Sequence, residues 1–199
     1  MSCPKCLLSL IENFKALPGI GEKTAERLAF AMIDFSEEKL DDFSKSVVDI
    51  KKKIRKCSLC GHITESELCD ICRDKKRKRG VICVVEDSKS VILFEKNDVF
   101  DGKYHVLEGL ISPYDGINPE DINIEKLLER IKTENIQEII IALKPTLEGE
   151  TTTLYILEFL KETNISVSKM AQGIPIGADI DYLDALTLEA AFVERKKIS

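Results

Sequence analysis

Residues 57–72 read CSLCGHITESELCDIC, and this stretch decides the middle of the fold because it contains two CxxC pairs. Each pair can present two thiolates to one metal ion, and two pairs complete a tetrahedral shell around Zn²⁺. Because sulfur fills all four positions, the sequence predicts one structural zinc ion per chain rather than a catalytic one. The predicted ligands are Cys57, Cys60, Cys69 and Cys72.

Two alternatives concern the same stretch. The cysteines could form disulfides, and His62 could replace one sulfur as a ligand. The N-terminal sequence has no long apolar h-region, and no apolar run approaches the roughly 20 residues of a membrane span. A reducing cytoplasm is therefore expected, and it favours zinc over disulfides. With four well-spaced cysteines, a solvent-facing His62 is the simpler interpretation.

Charge is unevenly distributed around the cysteines. The 199 residues carry a formal net charge of −6, yet residues 1–80 carry +4 and the remainder −10. Two basic runs flank the cysteines, at residues 51–56 and 73–79. Such runs are usually solvated surface, but their concentration beside a small metal module favours nucleic-acid binding.

Toward the N-terminus, apolar residues repeat with helical spacing at residues 7–14 and 25–32, on either side of a break. A third helix is expected after Ser36, a good N-cap, with a hydrophobic staple from Phe35. Its apolar stripe is predicted to be buried within its own domain, with a partner-helix seam as the alternative. The stripe comprises Leu40, Phe43, Val47, Ile50 and Ile54.

The break between the first two helices, LPGIG, is a candidate DNA contact. Gly19 and Gly21 permit a tight turn whose backbone N–H groups, with the positive end of the next helix, could hold a phosphate. Lys23 and Arg27 lie four residues apart on one helix face, where they could contact adjacent phosphates without reading bases. An αα-hairpin with two solvated charges is the alternative.

After residue 80 the pattern changes to alternating strands and helices. Short apolar runs predict buried strands at 81–85 and 138–143, and residues 163–170 are a further strand candidate. Helices are predicted at about 124–133 and 151–162, a surface loop at 111–121, and a core position for Cys83. This order predicts an α/β fold with a largely parallel sheet flanked by helices.

Three glutamates are expected at the carboxyl edge of this sheet, where open parallel sheets place their sites. Glu86 follows the first strand, and Glu148 and Glu150 follow a later one. The pattern looks like a Toprim domain, and carboxylates from two strand ends suit Mg²⁺. However, the DxD pair of metal-dependent Toprim enzymes falls here on Lys144 and Thr146. The sequence therefore predicts a Toprim scaffold without its catalytic metal.

The order of the motifs resembles one family over essentially the whole chain. LPGIGEKTAERLAF, the four-cysteine module, VVED with PTLEGE, and the terminal GIPIGADIDYLDALTL together are similar to the RecR family of bacterial recombination mediators. The resemblance implies a non-catalytic DNA-repair scaffold that assembles as a tetrameric ring around DNA. It also implies RecO-like and RecF-like partners and help in loading RecA onto strands covered by single-strand binding protein.

The same resemblance implies a domain order and a location. A helix-hairpin-helix domain is expected at residues 1–54, a four-cysteine zinc finger at 55–79, a Toprim domain at 80–175 and a C-terminal segment at 176–199. The protein is expected in the cytoplasm, at the bacterial nucleoid, without a membrane partner. The three edge glutamates are predicted to form an acidic docking surface for a basic, RecO-like partner.

Some features depart from the family pattern. Lys144 stands where asparagine is usual, Glu108 stands where glycine is usual, and CPKC replaces a cysteine-free start. Cys3 and Cys6 could hold a second, incomplete metal site, but a free thiol pair is the simpler interpretation. The C-terminal stretch is compared in the family with a Walker B segment. Because the sequence lacks a GxxxxGK[ST] phosphate loop, packing and subunit contact are predicted for it instead.

Two rival functions follow from the same residues. A Toprim-type metal-dependent nuclease or topoisomerase would need the missing DxD pair, and none of the four tyrosines lies in a recognisable nucleophile motif. A zinc-stabilised adaptor that never touches DNA is disfavoured by the hairpin glycines and the two cations after them. One hairpin offers few phosphate contacts, so useful affinity for DNA is expected to require an oligomer.

Overall fold

The structure, a computed structural model, describes residues 3–197 as two compact units, which meet in sequence between Ile54 and Arg55. The first unit is a helical hairpin followed by a third helix. Its helices are α1 (Lys5–Lys15), α2 (Glu22–Ile33) and α3 (Glu37–Lys53). Ile11 of α1 is buried beside Ala25 and Ala29 of α2. Small side chains on α2 leave room for α1, so the predicted helix, hairpin, helix arrangement is confirmed.

The third helix begins as predicted but does not bury its apolar stripe. The Ser36 hydroxyl caps α3 by accepting a hydrogen bond from the Lys39 backbone N–H at 3.3 Å. No residue of α3 is buried, and Ile50 in the middle of the stripe is 63% exposed. The prediction of burial within this domain is therefore wrong for the single chain. Periodicity identifies an apolar face, but it does not identify what covers that face.

The second unit begins with the cysteine module. Its elements are β1 (Arg55–Lys56), β2 (Ile63–Thr64) and the short helix α4 (Asp70–Arg73). β1 and β2 pair antiparallel. The module is too small for an extensive apolar core, and the four cysteines form its buried cluster.

A four-stranded parallel sheet forms the rest of this unit, with strand order β4-β3-β5-β6. The α/β prediction with a parallel sheet and flanking helices is confirmed. In chain order the elements are β3 (Val81–Val85), α5 (Ser88–Lys96), β4 (Lys103–Val106), α6 (Ile124–Thr133), β5 (Glu138–Ala142), α7 (Leu147–Leu160) and β6 (Ser166–Lys169).

Both faces of the sheet are covered. Because successive strand residues point to opposite sides, β3 contributes to two separate clusters. Ile82 and Val84 pack in the cluster that contains the buried aliphatic residues of α6 and α7. Cys83 and Val85 pack on the other side with Val91 of α5. Cys83 is therefore a core residue, as predicted.

The outer strand β4 is covered by its neighbours in the same unit. The Val106 backbone N–H donates to the Cys60 carbonyl at 2.8 Å. The Asn123 side-chain amide donates to the Val106 carbonyl at 3.0 Å, and the Arg130 guanidinium donates to the Tyr104 carbonyl at 2.9 Å. These contacts join the cysteine module and the chain around α6 to the sheet.

The C-terminal segment contains α8 (Ala185–Val193), which confirms the predicted helical segment. Asp184 caps this helix by accepting from the Thr187 N–H at 2.9 Å. No residue of α8 is buried, and Phe192 and Val193 are exposed. Leu188 and Ala190 are half-buried, so this helix packs only partly within the single chain. Between residues 3 and 197, no helix combines the length and hydrophobicity needed to cross a membrane.

Candidate functional site

The four predicted zinc ligands form a compact, buried cluster. The Sγ atoms of Cys57, Cys60, Cys69 and Cys72 all lie within 4.8 Å of one another. A tetrahedral zinc with Zn–S bonds of about 2.3 Å separates its sulfur atoms by about 3.8 Å. The Cys60 and Cys69 Sγ atoms are 3.6 Å apart. The donor set therefore fits one structural zinc ion.

Backbone hydrogen bonds position these sulfur atoms. The Gly61 N–H donates to the Cys57 carbonyl at 3.0 Å and closes the turn of the first CxxC pair. The Cys69 N–H donates to Cys57 Sγ at 3.3 Å, and the Cys72 N–H donates to Cys69 Sγ at 3.4 Å. Hydrogen bonds from the Cys60 and Cys72 thiols and from backbone hold the pKa of Cys69 well below its usual range. Such bonds stabilise the thiolate form that binds metal.

The other candidate ligands do not join this cluster. Among residues 3–197, the four cysteines are the one group of Cys, His, Asp or Glu arranged to hold a metal ion. His62 lies outside it; burial lowers the pKa of its ring, and its carbonyl accepts from the Cys57 N–H at 2.7 Å. Cys3 and Cys6 are outside it as free thiols. The shell is therefore complete with sulfur alone.

The hairpin between α1 and α2 is open at the predicted DNA contact. Gly19 has a φ of +79°, a left-handed conformation that favours glycine, and Gly21 is the N-cap of α2. A Cβ atom at either position would meet nothing within 4 Å. Lys23 and Arg27 are both exposed on α2. Backbone N–H groups and two cations are therefore accessible to a phosphate.

One member of the second basic run has a structural role instead. The Arg77 guanidinium is half-buried, pairs with Glu95 and donates to the Gly102 carbonyl at 3.0 Å. Glu95 also accepts a hydrogen bond from the Tyr104 hydroxyl at 2.8 Å. Arg77 is therefore not available to nucleic acid as the basic-run prediction for residues 73–79 expects, because sequence does not reveal its partner on α5.

At the carboxyl edge of the sheet, the predicted glutamates occupy strand and helix ends. Glu86 follows β3, and its carbonyl accepts from the Glu108 N–H at 2.8 Å. α7 begins at Leu147 rather than near residue 151, so Glu148 and Glu150 lie in its first turn. The pKa of the Glu148 carboxyl is lowered by a hydrogen bond from the backbone N–H of Glu148 itself. A hydrogen bond from the Thr146 hydroxyl lowers this pKa further.

The start of α7 requires glycine between these two glutamates. The Thr146 hydroxyl caps the helix by accepting from the Gly149 N–H at 3.3 Å. A Cβ at Gly149 would lie 1.9 Å from the Lys144 carbonyl oxygen. The EGE sequence therefore reflects a close approach of two backbone segments.

Lysine side chains neutralise two of the three edge glutamates. Lys144 Nζ lies 3.1 Å from Oε1 and 3.0 Å from Oε2 of Glu86, and Lys169 pairs with Glu150. Glu86 raises the pKa of Lys144 through this hydrogen bond. The structure thus brings the glutamates to one edge with lysine partners. Lys169 was not predicted as a partner of Glu150, although the strand predicted at residues 163–170 places Lys169 near the carboxyl end of that strand.

Glu108 also lies at this edge, in a conformation that favours glycine. Its φ is +69°, and its carboxylate pairs with Lys56 of β1. Glu108 therefore combines backbone strain with an ion pair to the cysteine module.

Comparison with known proteins agrees with this architecture. Family models match in the order RecR helix-hairpin-helix (residues 7–50), RecR four-cysteine zinc finger (54–74), Toprim domain (80–171) and RecR C-terminal (173–196). The chain is 50% identical over 198 residues to the recombination protein RecR of Staphylococcus aureus strains JH9, Mu50 and N315. Each alignment covers 100% of this chain and 100% of the relative. The chain therefore belongs to the RecR family of recombination proteins.

Proposed function

We propose that this chain is a non-catalytic, DNA-binding recombination mediator. It acts as a ring-forming scaffold with RecO-like and RecF-like proteins and helps load RecA onto single-stranded DNA. The observation that carries the proposal is the ion pair between Lys144 and Glu86, which puts an ammonium group where a metal-dependent Toprim enzyme needs a cation site.

The overall test is a RecA-loading assay on single-stranded DNA covered by single-strand binding protein. Zinc-loaded protein should accelerate RecA assembly in the presence of RecO and RecF. The enzyme rival predicts DNA cleavage that depends on Mg²⁺ or Mn²⁺ and is abolished by Glu86→Ala. Such cleavage by nuclease-free protein, or no acceleration of RecA loading, contradicts the proposal.

DNA binding is assigned to the hairpin glycines, Gly19 and Gly21, with Lys23 and Arg27. The left-handed turn and the open space above it support close approach of a phosphate, and the exposed cations support sequence-independent contacts. Each lost phosphate contact should reduce the slope of log K against log salt by about 0.7 to 0.9 per subunit.

The test compares Lys23→Ala and Arg27→Ala with Lys45→Ala, a matched change at an exposed lysine of α3. The two hairpin variants should weaken binding to all DNA sequences alike, whereas the α3 variant should bind normally. An unchanged salt slope in the Lys23→Ala, Arg27→Ala double variant sinks this assignment and points to the basic runs.

Partner binding is assigned to Glu86, Glu148 and Glu150, as a docking surface for a basic RecO-like protein. The position of all three at one edge supports this, and Glu148 makes no ion pair within the part of the chain described here. The pairs with Lys144 and Lys169 can exchange for pairs with a partner's cations.

Association kinetics test the docking surface. The triple Glu→Ala variant should bind the partner more slowly and with less dependence on salt, because charge complementarity mainly steers encounter. Alanine at Glu125, Glu129 and Glu162, which lie elsewhere in the second unit, provides the control. Full-speed association of the triple variant overturns the assignment.

Assembly into a tetrameric ring is supported by apolar surface that the single chain leaves uncovered. The stripe on α3 is exposed, and a groove of about 300 Å³ in the first unit is lined by Leu7, Leu10, Met32 and Leu40, among others. The apolar side chains of α8 are also exposed. Second copies of the chain are the proposed occupants.

Mass measurement in solution, with and without DNA, tests the assembly. Four copies are expected, and a Val47→Asp, Ile50→Asp variant should give a smaller species. A monomer at micromolar concentration contradicts the ring.

The proposed location is the cytoplasm, at the nucleoid, and the proposed domain boundaries are residues 1–54, 55–79, 80–175 and 176–199.

A further inference from the structure

The loop after β4 carries an aromatic side chain that the described chain does not cover. Tyr114 is 99% exposed. Within residues 3–197 its ring makes no aromatic contact and its hydroxyl makes no hydrogen bond. Tyrosine is a frequent interface anchor because its large ring has few rotatable bonds and loses little entropy on binding. Tyr114 is therefore available for contact with another molecule.

The turn that presents Tyr114 is held in place without a partner. Ser112 and Ile117 exchange two backbone hydrogen bonds, at 3.0 and 2.9 Å. The Ser112 hydroxyl donates to the Asp115 carboxylate at 2.6 Å, and Gly116 supplies the left-handed residue at a φ of +71°. Binding through Tyr114 therefore does not first require this loop to become ordered, which removes one cost of association.

Hydrogen bonds connect this turn to the edge that carries the glutamates. The Ile111 N–H donates to the Thr152 hydroxyl at 2.8 Å, and that hydroxyl donates to the Glu148 carbonyl at 2.7 Å. The Asp115 carboxylate also acts electrostatically on that of Glu148. An aromatic face and two carboxylates thus lie at the same edge of the second unit.

We propose that Tyr114 is the contact for an arginine side chain of a basic partner protein. The guanidinium group would stack on the ring, and the carboxylates of Asp115 and Glu148 would balance its charge. Arginine suits this surface better than lysine because its flat, weakly hydrated cation stacks on aromatic faces. The same carboxylates repel phosphate, so a protein is favoured over nucleic acid. This inference rests on the proposed docking of a partner at the glutamate edge.

The test measures binding of labelled hexa-arginine and hexa-lysine peptides to the zinc-loaded full chain by fluorescence anisotropy. The wild-type protein should prefer hexa-arginine by up to about fivefold, the most that one exposed cation–π contact supplies, because lysine can make part of the same contact. Tyr114→Ala should remove this preference, and Tyr114→Phe should keep it. The control is Tyr182→Ala, which removes a tyrosine that is 88% exposed in the C-terminal segment. This variant should retain the preference for hexa-arginine.

Several other outcomes of these measurements would contradict the inference or separate it from the docking proposal. An arginine preference that persists in Tyr114→Ala, or that Tyr182→Ala removes equally, overturns the inference. Weaker DNA binding or a changed mass in solution for Tyr114→Ala also overturns it, because the ring would then serve DNA or a subunit contact. If triple Glu→Ala substitution leaves partner association unchanged while Tyr114→Ala abolishes the peptide preference, the docking proposal fails and the arginine contact stands.

Discussion

Glycine at position 108 is expected to give a more stable protein than alanine at the same position. Glu108 has a φ of +69°, and a left-handed conformation costs a residue with a Cβ about 1–2 kcal/mol. At an ordinary position the order is reversed, because glycine is less favourable than alanine by about 0.5–1 kcal/mol. When the ordinary cost of glycine is subtracted from the left-handed cost of alanine, the Glu108→Gly variant is expected to be more stable than Glu108→Ala by about 0.5–1 kcal/mol.

The comparison isolates the backbone because both variants lose the same ion pair. Lys56, the partner of Glu108, has a side chain that is 65% exposed, so the pair contributes at most about 1 kcal/mol. That loss is common to both variants and cancels. In a chain of this size the expected difference corresponds to about 1–4 °C in the thermal midpoint.

Equilibrium urea unfolding of zinc-loaded protein, followed by circular dichroism, measures the difference. The matched control is the same pair of substitutions at Glu125, an exposed residue in α6, where the alanine variant should be the more stable by about 1 kcal/mol. An alanine variant at 108 that equals or exceeds the glycine variant would falsify the claim that backbone conformation dominates at this position.

Three further predictions concern metal, pH and packing. Elemental analysis should find one zinc per chain, and either chelation or a Cys57→Ser, Cys60→Ser double variant should lower the thermal midpoint; unchanged melting contradicts a folding role for the metal. Burial lowers the pKa of His105 from 6.5 to about 4, so the unfolded chain takes up this proton first as pH falls. The contribution of His105 to the free energy of unfolding should therefore fall by about 3 kcal/mol between pH 6.5 and 4, and His105→Asn should remove this part of the pH dependence in urea titrations. Gly149→Ala should destabilise the start of α7 by about 1–3 kcal/mol, because its Cβ would overlap the Lys144 carbonyl; a normal thermal midpoint refutes that steric argument.

The predictable parts of this chain are those whose chemistry is local in sequence. Two CxxC pairs place four thiols close together through tight turns, so their spacing was sufficient to predict the cluster. The hairpin glycines and the strand β3 carry similarly short-range signals. β4 was missed because KYHV is short and contains two polar residues, so it does not stand out as an apolar run. α5 was missed because its apolar run VILF suits a strand as well as a helix.

Contacts between distant segments could not be predicted in the same way. Lys144 was recognised as an opposing charge, but its pairing with Glu86 depends on the register of β3 and β5. The pairing of Lys56 with Glu108 depends on how the cysteine module lies against β4. The exposure of α3 depends on which surface covers it, and a single sequence contains no direct signal for that.

The contacts along β4 have a consequence for aggregation. A bare outer strand offers its free N–H and carbonyl groups to any extended chain that encounters it, and this is a common start of intermolecular β-sheet growth. Here the Val106 N–H is occupied by the carbonyl of Cys60, which belongs to the zinc-ligand set. Displacement of that residue on loss of the metal would free the Val106 N–H, while Asn123 and Arg130 would still occupy the Val106 and Tyr104 carbonyls. Bound zinc is therefore expected to add to the protection of this outer strand against intermolecular pairing, in addition to stabilising its own module.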